Sequence, residues 1–380
     1  MAAAKNNKRG FSFFNTLLLL ANIVVIVFLL AGFFAAFVPP DKNWMMAFVG
    51  LAFPYLFIIN LLFVPLWLLI KRKYALLPIV FVIICWFRIN GYFQIDFSDH
   101  KSPSEESIKI LSYNVRLFDL YNWKENRVSD AASEMFALMH ETKPDLLFIQ
   151  EYHSGRKRRI SISDSIRNAT GLEYSHISLV MKKDKIQPYG IATFSRWPII
   201  SKGVIRFSGN PANVCIYSDI VRGKDTLRIF NIHLESIQFS KEDYLFVNEF
   251  RANTEEQEKF SKGLISISKK LKNAFIQRAV QARKVAGEIE QSPYPVIVCG
   301  DFNDTPSSYT YHQISASLED AFIHSGSGLS QTYAGPLPSF RIDYTLYDSR
   351  YFSSESYRHI KKKYSDHFPI ISTLKFQSVK

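Results

Sequence analysis

The chain is poor in the residues that usually announce a function. Only three cysteines occur among 380 residues, too few for a disulfide framework. Cys85 lies in an apolar run, and Cys215 and Cys299 lie in strand-like ones. Buried free thiols and a single Cys215–Cys299 bond are the two states open to the latter pair. No CxxC or HExxH spacing is present, so nothing points to a structural zinc site. The P-loop pattern GxxxxGK[ST] is missing, and so is the GxSxG elbow of serine hydrolases. No period of 20–50 residues suggests a solenoid or propeller.

Charge is missing from two long stretches. Residues 11–38 and 44–70 contain no Asp, Glu, Lys or Arg. At about 1.5 Å rise per residue, each is long enough to cross a hydrocarbon core of roughly 30 Å. Pro54 and Pro65 would break a soluble helix but are tolerated in a membrane one. A third apolar run, 74–93, carries only Arg88 and is expected as a shorter span. Lys5, Lys8 and Arg9 precede the first run, and Lys71, Arg72 and Lys73 separate the second from the third. Basic short loops stay cytoplasmic. Three spans would then put everything after about residue 95 on the other side, and a third run lying only in the interface would reverse that side. Residues 1–95 are thus expected to be a transmembrane region, with 96–107 as a polar linker.

From 108 to 376 the composition is that of an ordinary soluble domain, and strand-like and helix-like segments alternate, as in an α/β or α+β fold. The formal net charge of the whole chain is +12, which suits an anionic substrate or membrane surface and equally a solvated basic face. Residues 240–275 read as an added helical segment: a lid, a membrane contact or plain surface.

Several strand-like runs end on a polar group. Asn114 closes LSYN, Glu151 closes DLLFIQE, and His233 closes FNIH. Asp301 and Asn303 stand in GDFN, Asp343 in RIDY, and Asp366 and His367 in YSDH. Singly, each is most simply a turn residue, a helix cap or a structural histidine. Together, on one sheet edge, they form a set of oxygen donors with two histidines, suited to a hard cation such as Mg²⁺ or Mn²⁺. Metal-assisted hydrolysis of a phosphate ester fits that set.

LSYN (111–114), PDLLFIQE (144–151), YGIATFSRWPI (189–199), FNIHLES (230–236), VIVCGDFND (296–304), RIDY (341–344) and YSDHFPI (364–370) occur in this order. In them the sequence resembles the endonuclease/exonuclease/phosphatase (DNase I-like) superfamily, in the form of a membrane-anchored bacterial-type member. The resemblance implies a four-layer α/β sandwich, two mixed β-sheets flanked by helices, over residues 108–376. It implies Mg²⁺ (or Mn²⁺) held by Glu151, with Asn114 beside it and Asp366 completing the shell. Asp301 would orient or deprotonate water, and Asn303 would hold the phosphate or the transition-state oxygen. His367, oriented by Asp343, would contact the phosphate, and His233 would be the general acid or a second phosphate contact. Tyr189 and Arg341 are candidate substrate contacts, a structural salt bridge being the other reading of Arg341. Departures are SYNVR in place of WNVNG, and Phe340 where abasic-site nucleases carry Trp before the DY motif. They weigh against abasic-site repair. The expected substrate is a phosphodiester: nucleic acid first, a phospholipid headgroup as for sphingomyelinases second. An inactive membrane scaffold is the reading from a different class. The expected location is a bacterial inner membrane, with the catalytic domain extracytoplasmic and the N-terminal helices in the lipid bilayer.

Overall fold

The computed structural model describes residues 13–95, 106–119, 131–157, 160–180, 188–209, 211–240, 257–335 and 340–377, with the single positions 104, 243 and 246. Most of the expected linker 96–107 and the first part of the 240–275 segment lie outside the described residues.

Two six-stranded mixed sheets stack face to face. The first runs Phe352–His359, Ile370–Phe376, Ser107–Asn114, Leu146–His153, Tyr189–Ser195, Tyr174–Val180. The second runs Glu319–Asp320, Asp343–Tyr347, Val296–Asp301, Asp225–His233, Val214–Arg222, Ile199–Arg206. Each sheet contains one parallel pair at its centre: Ser107–Asn114 with Leu146–His153, and Asp225–His233 with Val296–Asp301. Parallel neighbours need a crossover, and a helix supplies it in both cases: Ala131–Thr142 in the first and Gln257–Glu290 in the second. These central strands are nearly continuous apolar runs because both faces are covered.

The core divides accordingly. Ile110, Phe148, Ile229 and Ile297 fill the space between the sheets. Met135, Met139, Ile162 and Ile166 close the outer face of the first sheet, and Ala282, Val285 and Ile289 close that of the second. The result is the expected helix–sheet–sheet–helix sandwich. A buried polar pin crosses its middle. Gln150 donates to Asn231 Oδ1 at 2.7 Å, and Asn231 donates to the Ala192 carbonyl at 2.9 Å.

The described part of the 240–275 segment from residue 257 belongs to one 34-residue helix, Gln257–Glu290, about 50 Å long, which forms the second crossover. Near its middle, Lys272 and Phe275 meet Trp44 and Phe48 of the second apolar run.

Two of those helices, Phe13–Phe34 continuing to Phe37 and Trp44–Ile70, are long and apolar enough to cross a membrane. The third apolar run behaves differently from the expected 74–93 span. Its α-helix is Leu76–Ile89, only 14 residues or about 21 Å, short of a hydrocarbon core. It nevertheless runs back along the second helix. Phe37 and Asp41, before the second helix, touch His312 and Arg283 of the sandwich. Gly91 and Tyr92, after the third helix, touch Arg341 and Ser307. Lys71–Lys73 therefore lie at the end of the bundle away from the sandwich. The helices are tied by polar side chains: Asn22 to Asn60 at 3.3 Å, Trp67 to Asn22 at 3.1 Å, Asn60 to the Pro78 carbonyl at 3.1 Å.

Cys215 and Cys299 are free. Cys215 stands opposite Ile232 and Cys299 opposite Asn231, on the two strands that flank Asp225–His233. They are two strand spacings apart, roughly 9–10 Å, and point to opposite faces of the sheet, beyond disulfide reach.

Candidate active site

The strand ends converge as the sequence pattern requires. Register pairs His233 with Asp301 and Asp301 with Asp343, so three strands of the second sheet bring their polar ends side by side. Across the sandwich, Asn114 ends its strand beside Gln150, and Glu151 follows at once. Glu151 sits in a bulge between Ile149 and Tyr152 with φ of 51°, which turns its side chain out of the ladder toward the site. The chain returns through Asp366 and His367, where His367 bridges to Tyr333.

Gly300 explains the abrupt end of the VIVCGDFN run. Its φ is 140°, and a Cβ there would meet the Ile232 carbonyl oxygen at 2.1 Å. Only glycine lets the two parallel strands stay close enough to place His233 next to Asp301. Beyond it, the Asn303 backbone N–H donates to Asp301 Oδ1 at 2.8 Å, and the Asn303 side chain donates to the Leu234 carbonyl at 3.1 Å.

His367 Nδ1 lies 2.9 Å from Asp343 Oδ2, and its Nε2 lies 3.7 Å from Asp301 Oδ2. Burial alone would favour the neutral ring, but Asp343 and Asp301 outweigh it and hold the imidazole proton well above the ordinary range. His233 goes the other way. Burial pushes its proton affinity down and the neighbouring His367 adds to that, against the pull of Asp301. Burial next to Asp343 raises Asp301 to about 6, opposed by the two histidines and by Asn114, which donates to it at 3.0 Å. Glu151 is raised by burial and then by the charge of Asp366.

Two observations fit a cation or a phosphate here. His233 Nε2 is buried and has no hydrogen-bond partner among the described residues, and it stands 3.8 Å from Glu151 Oε1 and 3.9 Å from Asp301 Oδ2. Glu151 and Asp366 are carboxylates whose mutual repulsion a divalent ion would relieve. Asp301, Asp343 and His367 also present ligand atoms within 4.8 Å of one another. His367 Nδ1 is already committed to Asp343, so that trio reads as an oriented imidazole with its acids.

The expected residues are mostly brought together. Asn114, Glu151, His233, Asp301, Asn303, Asp343, Asp366 and His367 share one neighbourhood, and Tyr189 lines the same cavity. Two expectations change. Asn114 turns its amide N–H to Asp301, while its oxygen accepts from the Arg116 N–H at 3.1 Å. In this orientation its N–H, not its oxygen, is turned to the acids. Arg341 is not at the site at all. It is 1% exposed, paired with both oxygens of Asp320, donating to the Gly91 carbonyl at 3.0 Å, and packed against Phe322 and Tyr344.

Residues not singled out in the sequence also serve the site. Arg116 reaches Asp366 at 3.5 Å from a left-handed turn, Arg116–Asp119, in which four non-glycine residues carry φ between 45° and 58°. Such a turn costs roughly 1–2 kcal/mol per residue and no local motif announces it. Ser365 donates to the Asn114 carbonyl at 2.8 Å and anchors the Asp366–His367 loop. The cavity in front of the cluster measures about 850 Å³, and its far wall is apolar, built by Phe48, Leu51 and Tyr55 of the second helix and Ile267, Leu271 and Phe275 of the long one.

A family model described as "Endonuclease/Exonuclease/phosphatase family" matches residues 111–367. A model of a domain of unknown function matches residues 15–92. No curated protein matches. Among solved structures, the chain is similar to an endonuclease/exonuclease/phosphatase from Beutenbergia cavernae, at 14% identity and a TM-score of 0.48, covering 71% of this chain and 72% of that one. It is similar to the human Nocturnin catalytic domain with bound sulfate, at 17% identity and a TM-score of 0.49, covering 75% and 97%. Truncated Caenorhabditis elegans TDP2 matches at 17% identity and a TM-score of 0.44, covering 71% and 98%.

Proposed function

The chain belongs to the endonuclease/exonuclease/phosphatase family, and from that premise we propose that it is a membrane-anchored, divalent-metal-dependent phosphoester hydrolase, most simply a phosphodiesterase. The observation that carries this reading is the convergence of the Asp343–His367–Asp301 chain with the unpartnered His233 Nε2 at one end of a cavity.

Mg²⁺ or Mn²⁺ held by Glu151 and Asp366 would neutralise phosphate charge. The remaining work falls to the side chains. A water oxygen bonds to phosphorus, and the bond from phosphorus to the leaving oxygen breaks. Asp301 takes the water's proton, helped by the Asn303 N–H that fixes its other oxygen. His367 is the imidazole that carries a proton at neutral pH, so it is the acid available to the leaving oxygen. The proton on Asp301 then returns to His367, 3.7 Å away, and resets the pair. His233, largely neutral, becomes a second phosphate contact as the substrate's negative charge raises its proton affinity.

The basic Lys71–Lys73 turn lies at the bundle end away from the sandwich, and positive loops stay cytoplasmic, so the catalytic domain is extracytoplasmic in this reading. The net basic chain suits nucleic acid. The apolar cavity wall favours a lipid phosphodiester instead.

The test is turnover of a soluble bis-aryl phosphodiester by the full chain in detergent. Activity should vanish with chelator and return with Mn²⁺. Asp301→Ala should lower it by at least about a hundredfold with the thermal midpoint retained. Chelator-resistant turnover, or a fully active Asp301→Ala, would sink the reading.

A further inference from the structure

The catalytic cavity has one wall that the chemistry does not need. Phosphate hydrolysis is served by the polar end, yet the opposite side is a continuous apolar surface shared by two helices from different parts of the chain. Phe48 and Phe275 meet edge to face with centroids 5.3 Å apart, and Tyr55 meets Phe340 in the same way at 6.3 Å. These contacts make the second apolar helix a structural part of the cavity.

The same face of that helix continues beyond the cavity. Positions 48, 52, 55, 59, 62, 66 and 69 recur at alternating spacings of four and three, which is one stripe of an α-helix. Phe48, Ala52 and Tyr55 of this stripe line the cavity. Ile59, Leu62 and Leu69 are exposed, at 43%, 62% and 86%. From Phe48 to Leu69 the stripe is roughly 30 Å long, about the thickness of a hydrocarbon core. A single apolar track therefore leads from the part of the helix suited to the bilayer to the catalytic cluster.

We propose that this wall is a hydrocarbon-chain subsite, and that the substrate is a bilayer-resident phosphoester whose tail enters sideways along the second helix while its phosphate reaches Asp301, His233 and His367. The proposal rests on the hydrolase reading and deepens it by naming the substrate class. Continuity decides the occupant: the subsite opens onto the exposed apolar face of a helix long and apolar enough to cross a membrane, and its inner end is the catalytic cluster. Nucleic acid would leave that wall dry and unmatched. At 850 Å³ the cavity lies within the size of small-molecule sites, about 300–1,000 Å³.

The experiment uses the full chain in phosphatidylcholine vesicles. Phosphodiesters with one headgroup and chains of increasing length are compared with a DNA and an RNA oligonucleotide. The expected result is a kcat/KM at least tenfold higher for the long chains than for the shortest. Ala52→Trp, which places bulk on the wall, should reduce the ratio of long-chain to short-chain kcat/KM at least tenfold. Binding is read separately. A non-hydrolysable long-chain phosphodiester bearing a diazirine on its chain should label residues 267–275, and excess unlabelled analogue should compete the label away. Chain-length independence, an unchanged ratio in Ala52→Trp, or faster turnover of an oligonucleotide would overturn the subsite. Competed labelling without cleavage of any phosphoester would uphold the subsite and remove the hydrolase reading. Cleavage of short phosphodiesters without competed labelling would do the reverse.

Discussion

His367 Nδ1 stands 2.9 Å from Oδ2 of Asp343, and that short contact fixes both the orientation and the charge of the ring. Replacing Asp343 with Asn should remove the charge while keeping a hydrogen-bonding group. In metal-free protein, His367 should then titrate much closer to the ordinary histidine range, read by NMR of the ring nitrogens. Turnover should fall by about 10²–10⁴-fold, mostly in kcat. An unchanged His367 titration would show that Asp343 does not hold the proton.

The raised His367 value has a stability counterpart with a definite sign. A folded-state value above the unfolded one stabilises the fold below the unfolded value, near 6.5. That contribution is lost as pH rises through the folded value. The thermal midpoint of metal-free wild type should therefore exceed that of His367→Asn most at pH 6, and the gap should narrow toward alkaline pH. A gap that widens with pH would contradict the assignment.

Glu151→Gln should weaken Mn²⁺ binding by at least about tenfold in isothermal titration calorimetry, because it removes one of the two carboxylates offered to the ion. Asn114→Asp should be milder for metal affinity, since the Asn114 oxygen accepts from the Arg116 N–H. Equal losses in the two variants would place Asn114 in the metal shell after all.

Arg341→Met should destabilise by about 3–5 kcal/mol, the usual effect of leaving one partner of a buried ion pair alone. Removing both charges, as Arg341→Met with Asp320→Leu, should restore part of that loss. If Arg341→Met instead kept its thermal midpoint and lost only substrate affinity, Arg341 would be a phosphate contact.

Cys215 and Cys299 should both react with a maleimide after denaturation without reductant, whichever side of the membrane the domain occupies. A disulfide between them in mass spectrometry would require a register other than the one described here.

Much of this site could be read in the sequence because strand ends are local events. An apolar run that stops at Asp301 or Glu151 puts a polar side chain at a sheet edge, and the order of the motifs supplied the rest. Arg341 carries two readings in the sequence because a basic residue two positions before Asp343 looks the same whether it faces a phosphate or the buried Asp320, and the salt bridge that decides it lies 21 residues away along the chain. The Gln150–Asn231 pin and the left-handed turn at Arg116 are tertiary consequences with no periodic signal. The crossover role of residues 257–290 was hidden for a related reason. A helix read alone does not reveal that the strands on either side of it are parallel neighbours. The third apolar run was long enough in letters but not in α-helix, since Arg72–Ala75 winds as a tighter 3₁₀ turn and the α-helix ends at Ile89.

The Gly91 carbonyl accepts from Arg341 and from Ser330, and Tyr92 bonds Ser307 at 2.9 Å. A glycine at position 91 also leaves no room for more, because a Cβ there would meet Pro306 at 2.6 Å. The apolar helices are thus bolted to the catalytic frame, not tethered to it. A protein cut after residue 95 would not be the same domain set free in solution. It would be a sandwich whose polar cluster faces water where Phe48, Leu51 and Tyr55 now stand.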